Sequence, residues 1–276
     1  MFAVSIIFKL EMASSIITLT TDFGNRDGFV GTMKGVILGI FPEARMVDIS
    51  HEIAPQNISE AAYVVFMSYK FFPAGTVHVV VVDPGVGSER RILCVSAGGY
   101  LFLAPDNGVL KYIFQECADA RVFHITTRKY VLPQISQTFH GRDIFAPVAA
   151  RLAKGLDPGE LGPPISDYNK GRLPKLEESR RGITGEIIYV DRFGNVISNI
   201  PLSKLNGRDL RALKIQMKNC AICGLANSYS AGSRSEPIAL IGSSGLLEMA
   251  VFMGSAQTVL GCELGDEVMI EFENGF

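Results

Sequence analysis

The sequence predicts an α/β N-terminal domain with a mostly parallel central sheet, followed by a small all-β C-terminal barrel. Segments with strand and helix character alternate along the first half of the chain, which is typical of α/β domains. Four consecutive valines at 79–82 indicate a strand buried on both faces, as in the middle of a parallel sheet. Beyond Gly162-Pro163-Pro164 the apolar segments become short, β-rich and separated by glycines, which favours a separate all-β domain.

Length and composition set the broad class of the protein. The 276 residues reach the length at which single hydrophobic cores stop growing, so we expect two domains. A net charge of −2 gives no electrostatic basis for binding nucleic acid or an anionic membrane. No apolar run approaches the ~18 residues of a transmembrane helix. Five cysteines, an odd number with scattered spacing, favour reduced thiols and a cytoplasmic protein.

The N-terminal segment precedes the first predicted strand. Residues 1–10 are apolar, but they lack the basic start and the small-residue cleavage site of a signal peptide. We therefore interpret them as an extension, or as an alternative start ahead of Met12.

The first elements follow a β-α-β-α-β order. Residues 16–21 are β-rich, and apolar residues then recur with a helical period from 29 to 40. Residues 45–49 form a second strand-like segment. Asn57 and Glu60 resemble a capping box at the start of a second helix, and the valine strand comes after it. This order predicts parallel strands joined by right-handed crossovers.

The rest of the N-terminal domain is less regular. Residues 92–96 and 100–104 flank two glycines and predict a hairpin. A helix is expected to begin near 109–114, a strand spans 122–125, and residues 144–152 have the pattern of another helix. We place the N-terminal domain at residues 16–170.

A stretch rich in proline, glycine and charge separates the two domains, and we interpret it as a linker or an ordered crossing strap. The second domain is placed at residues 181–276. Its β-like segments are 184–190, 196–199, 213–217, 238–241 and 268–272. A small barrel or a sandwich fits this spacing, and we favour the barrel.

One candidate site follows the valine strand. Asp83 opens the turn Asp83-Pro84-Gly85-Val86-Gly87, at the strand end where open α/β sheets bind ligands. Arg90 lies seven residues later, so its guanidinium could face the Asp83 carboxylate across one loop. The alternative is a β-turn with a surface salt bridge.

Other polar side chains also follow predicted strands. Asp22 and Asp27 lie in the loop after the first strand, and His140 precedes a helix in a loop with Arg142. His140 could equally be a structural residue at the helix N-terminus. Together with Asp83 these loops predict a small-molecule site at one edge of a parallel sheet.

The second domain offers two further motifs. The segment Asp191-Arg192-Phe193-Gly194-Asn195 combines an aromatic ring with an amide, a pair that can stack on and hydrogen-bond to a purine. The alternative is a hairpin turn with a buried Phe193. Cys220 and Cys223 form a lone C-x-x-C, so ordinary cysteines are favoured over a zinc or redox site. The P-loop, the dinucleotide fingerprint and the H-E-x-x-H motif are absent from the sequence.

Six motifs occur in an order that resembles the S-adenosyl-L-methionine (SAM) hydrolase, or SAM hydroxide adenosyltransferase, family, which is related to fluorinase and chlorinase. The motifs are Thr20-Thr21-Asp22-Phe23-Gly24, Asp83-Pro84-Gly85-Val86-Gly87, Ala104-Pro105-Asp106-Asn107-Gly108, Thr138-Phe139-His140-Gly141-Arg142-Asp143, Asp191-Arg192-Phe193-Gly194-Asn195 and Gly242-Ser243-Ser244-Gly245-Leu246-Leu247-Glu248. The resemblance covers nearly all of the chain from Ile16 onwards.

The resemblance implies a reaction and an assembly. SAM, the substrate rather than a cofactor, would be cleaved to adenosine and L-methionine by water attack at C5′, and no metal or other cofactor would be required. The family also implies a homotrimer that binds its substrate between neighbouring subunits. Nucleic acid and membrane partners are not implied.

The resemblance also assigns residues. Asp83, Arg90 and His140 match the water-activating residues, Asp22 matches the carboxylate that holds the ribose hydroxyls, and Asp27 lies where the methionine end is contacted. The further implied substrate contacts are Phe139, Asp191, Phe193, Asn195, Ser243 and Glu248, of which Asn195 and Phe193 face adenine. Met253 departs from the smaller residue that the family usually has at its position.

The halogenating relatives differ at two of these positions, with Tyr in place of Asp83 and Ser in place of Gly141. An anionic carboxylate would repel a halide, so the resemblance favours hydrolysis here. The sulfonium is already a good leaving group, so the chemical task is to orient and deprotonate a water molecule. Two alternatives are kept: a non-catalytic module that binds adenosine or SAM, and a SAM-dependent halogenase.

Overall fold

A computed structural model describes residues 15–272, and the chain divides into two compact units, one ending at Arg172 and one beginning at Leu173. The N-terminal unit contains six strands: β1 (Ile16–Thr21), β2 (Arg45–Ser50), β3 (Val77–Val81), β4 (Ile92–Ala97), β5 (Tyr100–Pro105) and β6 (Arg121–His124). Its α-helices are α1 (Phe29–Ile40), α2 (Ile58–Ser68), α3 (Lys111–Glu116) and α4 (Ala146–Ala153). Across the part of the chain that is described, no helix combines the length and apolar character needed to cross a membrane.

The strands of this unit form one mixed sheet in the order β2-β1-β3-β5-β4-β6. β1 pairs in parallel with β2 and β3, and β3 pairs in parallel with β5, while β4 runs antiparallel to both of its neighbours. The predicted mostly parallel sheet and the β4–β5 hairpin are therefore confirmed. The strand order reverses at β1, so a crevice is expected where the carboxyl ends of β1 and β3 lie side by side.

Both faces of the sheet are covered. Alternate residues of β1 and β3 pack on α1 and α4, and the core on this face includes Leu19, Met33, Val79, Phe145 and Val148. The opposite face of β1 contacts α2, whose N-cap Asn57 accepts a 3.1 Å hydrogen bond from the Glu60 backbone N–H, as the capping box predicts. With both faces buried, the valine strand is shielded from water, in line with its sequence.

The C-terminal unit is a nearly closed antiparallel barrel, as predicted. Its strands follow the order β11-β10-β14-β8-β9-β13-β12, and β7 adds to β8. They are β7 (Glu177–Ser179), β8 (Gly182–Val190), β9 (Val196–Pro201), β10 (Lys214–Met217), β11 (Cys220–Cys223), β12 (Ile238–Ile241), β13 (Leu246–Ala250) and β14 (Glu267–Glu271), with one short helix, α5 (Ala256–Leu260). Three of these strands were not predicted: β7 has no apolar residue, and β11 and β13, at four and five residues, are too short and too uniformly apolar to show an alternation.

A buried histidine lies on the α2 side of the sheet. His78 of β3 is 1% exposed, and its Nδ1 lies 2.8 Å from the Thr18 hydroxyl of β1. Its ring stacks on Phe102 at 5.1 Å and contacts Tyr69, Phe72 and Tyr100 edge-on or at a tilt. Burial in this aromatic environment lowers the pKa of His78 to about 3.

We predict that His78 makes the protein acid-sensitive. In the unfolded chain a histidine binds a proton near pH 6.5, whereas His78 in the folded chain stays neutral down to about pH 3. The unfolded state therefore binds more protons in this window, and the free energy of unfolding should fall by up to about 1.4 kcal/mol per pH unit below pH 6.5. Urea unfolding at several pH values should show a shallower dependence for His78→Phe, and an identical dependence would contradict the assignment.

Candidate active site

A cavity of about 380 Å³ lies at the carboxyl ends of β1 and β3, where the strand order reverses. Register places Thr21 opposite Val81, so the residues that follow each strand emerge side by side. Asp22 and Asp83 both line the cavity as a result, and His140 lines it from the segment before α4. The predicted convergence of polar loops at one edge of the sheet is thus present in this unit.

Arg90 joins Asp83 to His140. Its Nε donates to Asp83 Oδ1 at 2.8 Å and to Oδ2 at 2.7 Å, and its Nη2 contacts Oδ2 as well. Nη2 also lies 2.7 Å from His140 Nδ1. The Arg90 and Asp83 side chains are only 10% and 5% exposed, so the alternative of a surface salt bridge is wrong.

This contact decides the protonation of His140. A guanidinium only donates hydrogen bonds, so His140 Nδ1 must accept one, and the proton of the neutral ring lies on Nε2. Burial lowers the pKa of His140, and the nearby Arg90 charge lowers it further, against the opposing pull of Asp83 and Asp143. His140 is therefore a neutral residue whose Nε2–H is available to donate.

The loop after β3 depends on a glycine. Gly87 has a φ of +79°, and a Cβ at this position would lie 2.4 Å from the Gln137 carbonyl oxygen. The loop that bears Asp83 therefore packs against the backbone of the segment that leads to His140. This close approach brings the two segments near enough for Arg90 to contact both.

A π-helical turn, Gly141–Phe145, begins directly after His140 and continues into α4, where a regular helix was predicted at 144–152. Asp143 is fully buried in this turn and accepts from the Ser136 backbone N–H at 2.8 Å and from Arg142 Nε at 2.6 Å. Burial raises the pKa of this carboxyl, but the hydrogen bonds from Arg142 and Ser136 outweigh it and leave the pKa lowered. The anchored turn holds His140 in place, as π-turns often do at functional sites.

A second loop orients Asp22. Its Oδ2 accepts the Gln56 backbone N–H at 2.8 Å, and Gln56 has a φ of +65°, which is uncommon for a residue with a side chain. His51 supports the same loop, because its Nδ1 lies 2.9 Å from the Thr21 hydroxyl and its carbonyl accepts the Gly24 N–H at 2.8 Å. No motif in the sequence pointed to Gln56. Asp27 is exposed farther along the β1–α1 loop and does not line the cavity.

The barrel unit has its own cavity, of about 580 Å³. Asp191 Oδ1 accepts the backbone N–H groups of Phe193 and Asn195 at 2.9 and 2.8 Å, and its Oδ2 accepts Asn195 Nδ2 at 2.8 Å. The segment is a turn between β8 and β9, as the hairpin alternative predicts. Phe193 is 77% exposed, however, so the buried Phe193 of that alternative is wrong. Phe193 and Asn195 both line the cavity.

Besides Asp191, Phe193 and Asn195, five residues line this cavity: Tyr229, Val251, Phe252, Met253 and Gly254. Tyr229 donates its hydroxyl to Glu248 Oε1 at 2.8 Å, and Glu248 is 5% exposed behind it. Burial raises the pKa of Glu248, and the neighbouring Asp191 raises it further. Met253, which was noted as a departure from the family, is 73% exposed with a φ of +54°. Glu248 itself, like Ser243 in the β12–β13 turn, does not line either of the two cavities.

The sequence matches two family models in tandem. The SAM hydroxide adenosyltransferase N-terminal domain matches residues 17–162, and the C-terminal domain of the same family matches residues 185–269.

In residues 15–272, no group of three or more His, Cys, Asp or Glu side chains is arranged to hold a metal ion.

Relatives align over almost the whole chain. An (R)-S-adenosyl-L-methionine hydrolase from Methanocaldococcus jannaschii is 38% identical, with 96% of this chain and 98% of the relative covered. An enzyme of the same name from Thermus thermophilus is 35% identical, with 91% and 97% covered. A fluorinase from an Actinoplanes species is 26% identical, with 85% and 90% covered.

A solved structure is also similar. An uncharacterized conserved protein from Thermotoga maritima superposes with a TM-score of 0.87 at 36% identity, and the match covers 93% of this chain and 100% of that chain. The chain therefore shares the fold of that structure.

We predict that removing the Arg90 charge raises the pKa of His140. Arg90→Gln deletes a nearby positive charge and leaves Asp83 and Asp143, which favour the protonated ring. An NMR titration of the imidazole resonances measures the shift and also reports the loss of the Nε2–H tautomer. Arg91→Gln is the matched control, because Arg91 pairs with Asp106 and Asp167 instead. An unchanged or lowered His140 pKa in Arg90→Gln would refute the arrangement.

Proposed function

The chain belongs to the SAM hydroxide adenosyltransferase family, and from this premise we propose that it hydrolyses SAM to adenosine and L-methionine. The observation that carries the proposal is the buried contact of Arg90 with Asp83 and His140 in the N-terminal cavity. It combines a proton acceptor, a fixed cation and a neutral hydrogen-bond donor. The names of the similar hydrolases support the same reaction.

The proposed chemistry is a single displacement at C5′ of the ribose. The water oxygen forms a bond to C5′ while the C5′–S bond breaks, and the electron pair of that bond goes to sulfur. Methionine leaves as a neutral thioether, so no general acid is needed. One proton of the attacking water goes to Asp83 and then to solvent, and the other stays on the new 5′-hydroxyl of adenosine. General-base assistance of this kind is typically worth ~10²–10⁴-fold in rate.

The geometry suits the positioning of that water. Arg90 holds Asp83 through Nε, which contacts both carboxylate oxygens, and through Nη2, which contacts Oδ2 a second time, so a lone pair remains on Oδ1. A water that donates to Asp83 and accepts from His140 Nε2–H has one remaining lone pair to direct at C5′. Fixing the nucleophile in this way removes much of the entropic cost of the reaction.

The rest of the substrate would be held by polar groups that are already oriented. The Gln56 backbone N–H donates a hydrogen bond to Asp22 Oδ2, which leaves Asp22 Oδ1 to accept hydrogen bonds from the ribose hydroxyls. Asn195 Nδ2 donates one N–H to Asp191 Oδ2. The second N–H and the Oδ1 of Asn195 can therefore bind the N7 and N6 edge of adenine. The exposed ring of Phe193 would stack on the purine. We assign Asp27, Phe139, Ser243 and Glu248 to the remaining substrate contacts by family resemblance.

We further propose that the site is shared between neighbouring subunits of a homotrimer. Asp22, Asp83 and His140, which we assign to the ribose and the water, line the cavity of the N-terminal unit, whereas Phe193 and Asn195, which we assign to adenine, line the cavity of the barrel. Phe193 and Met253 are more than two thirds exposed, as expected for side chains that a second copy and a substrate would cover.

A product assay tests the reaction directly. Purified protein incubated with SAM should yield equal amounts of adenosine and methionine by mass spectrometry, with one ¹⁸O atom in the adenosine when the reaction is run in labelled water. A 5′-halo-adenosine formed in the presence of chloride would favour the halogenase alternative. Tight binding with no product would favour a non-catalytic binding module.

We predict that Asp83→Asn lowers kcat by roughly 10²–10⁴-fold, because an amide cannot accept the water proton. Adenosine affinity should be nearly unchanged, since Asp83 contacts the water rather than the nucleoside. Steady-state kinetics and calorimetry measure the two quantities. Asp167→Asn, which removes an exposed partner of Arg91, is the control and should keep full activity. If adenosine binding collapses with Asp83→Asn, Asp83 is a binding residue instead.

We also predict complementation between two inactive variants. Asp83→Asn disables the N-terminal cavity, and Asn195→Ala disables adenine recognition in the barrel. If one site uses both cavities from neighbouring copies, mixed oligomers contain some sites with two intact halves. Unfolding and refolding the two variants together should then restore part of the activity, whereas variants refolded separately and then combined serve as the control. Continued inactivity of oligomers shown by native mass spectrometry to be mixed would contradict the shared site.

A further inference from the structure

Three phenylalanine rings form an aromatic cluster in the N-terminal cavity, beside Asp83 and His140. Phe23, Phe29 and Phe139 all line the cavity. Their ring centroids lie 5.6 Å apart for Phe23 and Phe29, 5.9 Å for Phe23 and Phe139, and 5.2 Å for Phe29 and Phe139. The rings are tilted or edge-to-face relative to one another, so their faces point in several directions within the cavity.

The hydrophobic core does not account for this cluster. Phe23 and Phe139 pack partly against the core, but Phe29 is not part of it and is 45% exposed at the start of α1. Gly141 allows the rings to approach this closely, because a Cβ there would lie 3.3 Å from Phe139 Cε2 and 3.5 Å from Phe23 Cε2. An exposed aromatic surface in the cavity that Asp83 also lines indicates a ligand with a matching chemistry.

The reacting group of the proposed substrate has that chemistry. A sulfonium carries a permanent positive charge on a sulfur with three carbon substituents, so it has no N–H or O–H with which to form a hydrogen bond. Aromatic faces attract such cations through the ring quadrupole, and the attraction is stronger when the cation is desolvated. Asp83 pairs with Arg90 and is assigned to the water, and Asp22 is assigned to the ribose hydroxyls, so the rings are the neighbouring surface that remains for the sulfonium.

We propose that the aromatic cluster binds the sulfonium and its methyl group, and that it distinguishes charged SAM from neutral thioethers. This inference rests on the proposed function. The charge disappears from sulfur when the C5′–S bond breaks, so the attraction is lost in the product. The cluster therefore favours binding of the substrate and release of methionine, and it acts on KM rather than on kcat.

The rings are not equivalent. The guanidinium carbon of Arg142 lies 5.1 Å from the Phe139 ring centroid, so Phe139 already makes a cation–π contact. Phe29 is the most exposed member and carries no such contact among the cation–π pairs of the described residues. A change at Phe29 therefore tests the cluster with the least risk to the fold.

The test compares two ligands in a background that does not turn over. In Asp83→Asn protein, calorimetry gives the affinities for SAM and for S-adenosylhomocysteine, its neutral thioether counterpart. Adding Phe29→Leu keeps an apolar contact for the methyl group but removes the ring face. It should weaken SAM binding by about 3- to 30-fold and leave S-adenosylhomocysteine affinity unchanged. Phe29→Tyr should retain the preference for SAM.

A matched control and two contrary outcomes make the test decisive. Phe71→Leu makes the same chemical change at a ring that is 86% exposed outside the cavity, and it should alter neither affinity. Equal losses for both ligands, or none for SAM, would show that the cluster is only an apolar wall and would overturn the inference. Failure of Asp83→Asn protein with intact Phe29 to bind either ligand would instead count against the proposed function itself. In otherwise wild-type protein, Phe29→Leu should raise KM without lowering kcat.

Discussion

The parallel pairing of β1 with β3 is the constraint on which the N-terminal site depends. It places Thr21 beside Val81, so the two chains leave the sheet next to each other and both carboxylates enter one cavity. Strands buried on both faces cannot shift register without exposing apolar residues or burying polar ones. The hydrophobic energy that fixes the sheet therefore also fixes the distance between the parts of the site.

Arg90 links Asp83 to His140 and orients both side chains. One guanidinium contacts a carboxylate and an imidazole at once, and the second contact requires His140 to be neutral with its proton on Nε2. A lysine would supply the charge but not the planar set of donors that reaches both partners. The direction of each donor and acceptor around the proposed water thus follows from a single side chain, which the buried Asp143 turn and Gly87 keep in reach of His140.

The two cavities differ in character, and the difference matches the two ends of the proposed substrate. The N-terminal cavity combines carboxylates with a phenylalanine cluster, which suits a cationic sulfonium and the ribose hydroxyls. The barrel cavity presents an exposed ring and an amide whose orientation Asp191 determines, which suits a neutral purine edge. In the proposed reaction, recognition of the charged centre and of the flat heterocycle would therefore be divided between the two units.

The sequence by itself determined both fold classes, the hairpin at Gly98-Gly99, the α2 cap and the candidates Asp22, Asp83, Arg90 and His140, because periodicity, turn residues and motif order are local properties. Only the tertiary structure decided which of these side chains meet, the tautomer of His140, the support of Asp22 by Gln56, and the position of Tyr229 in front of Glu248. Those contacts join residues that lie far apart in the chain, and no local pattern encodes a distance across a sheet or a barrel.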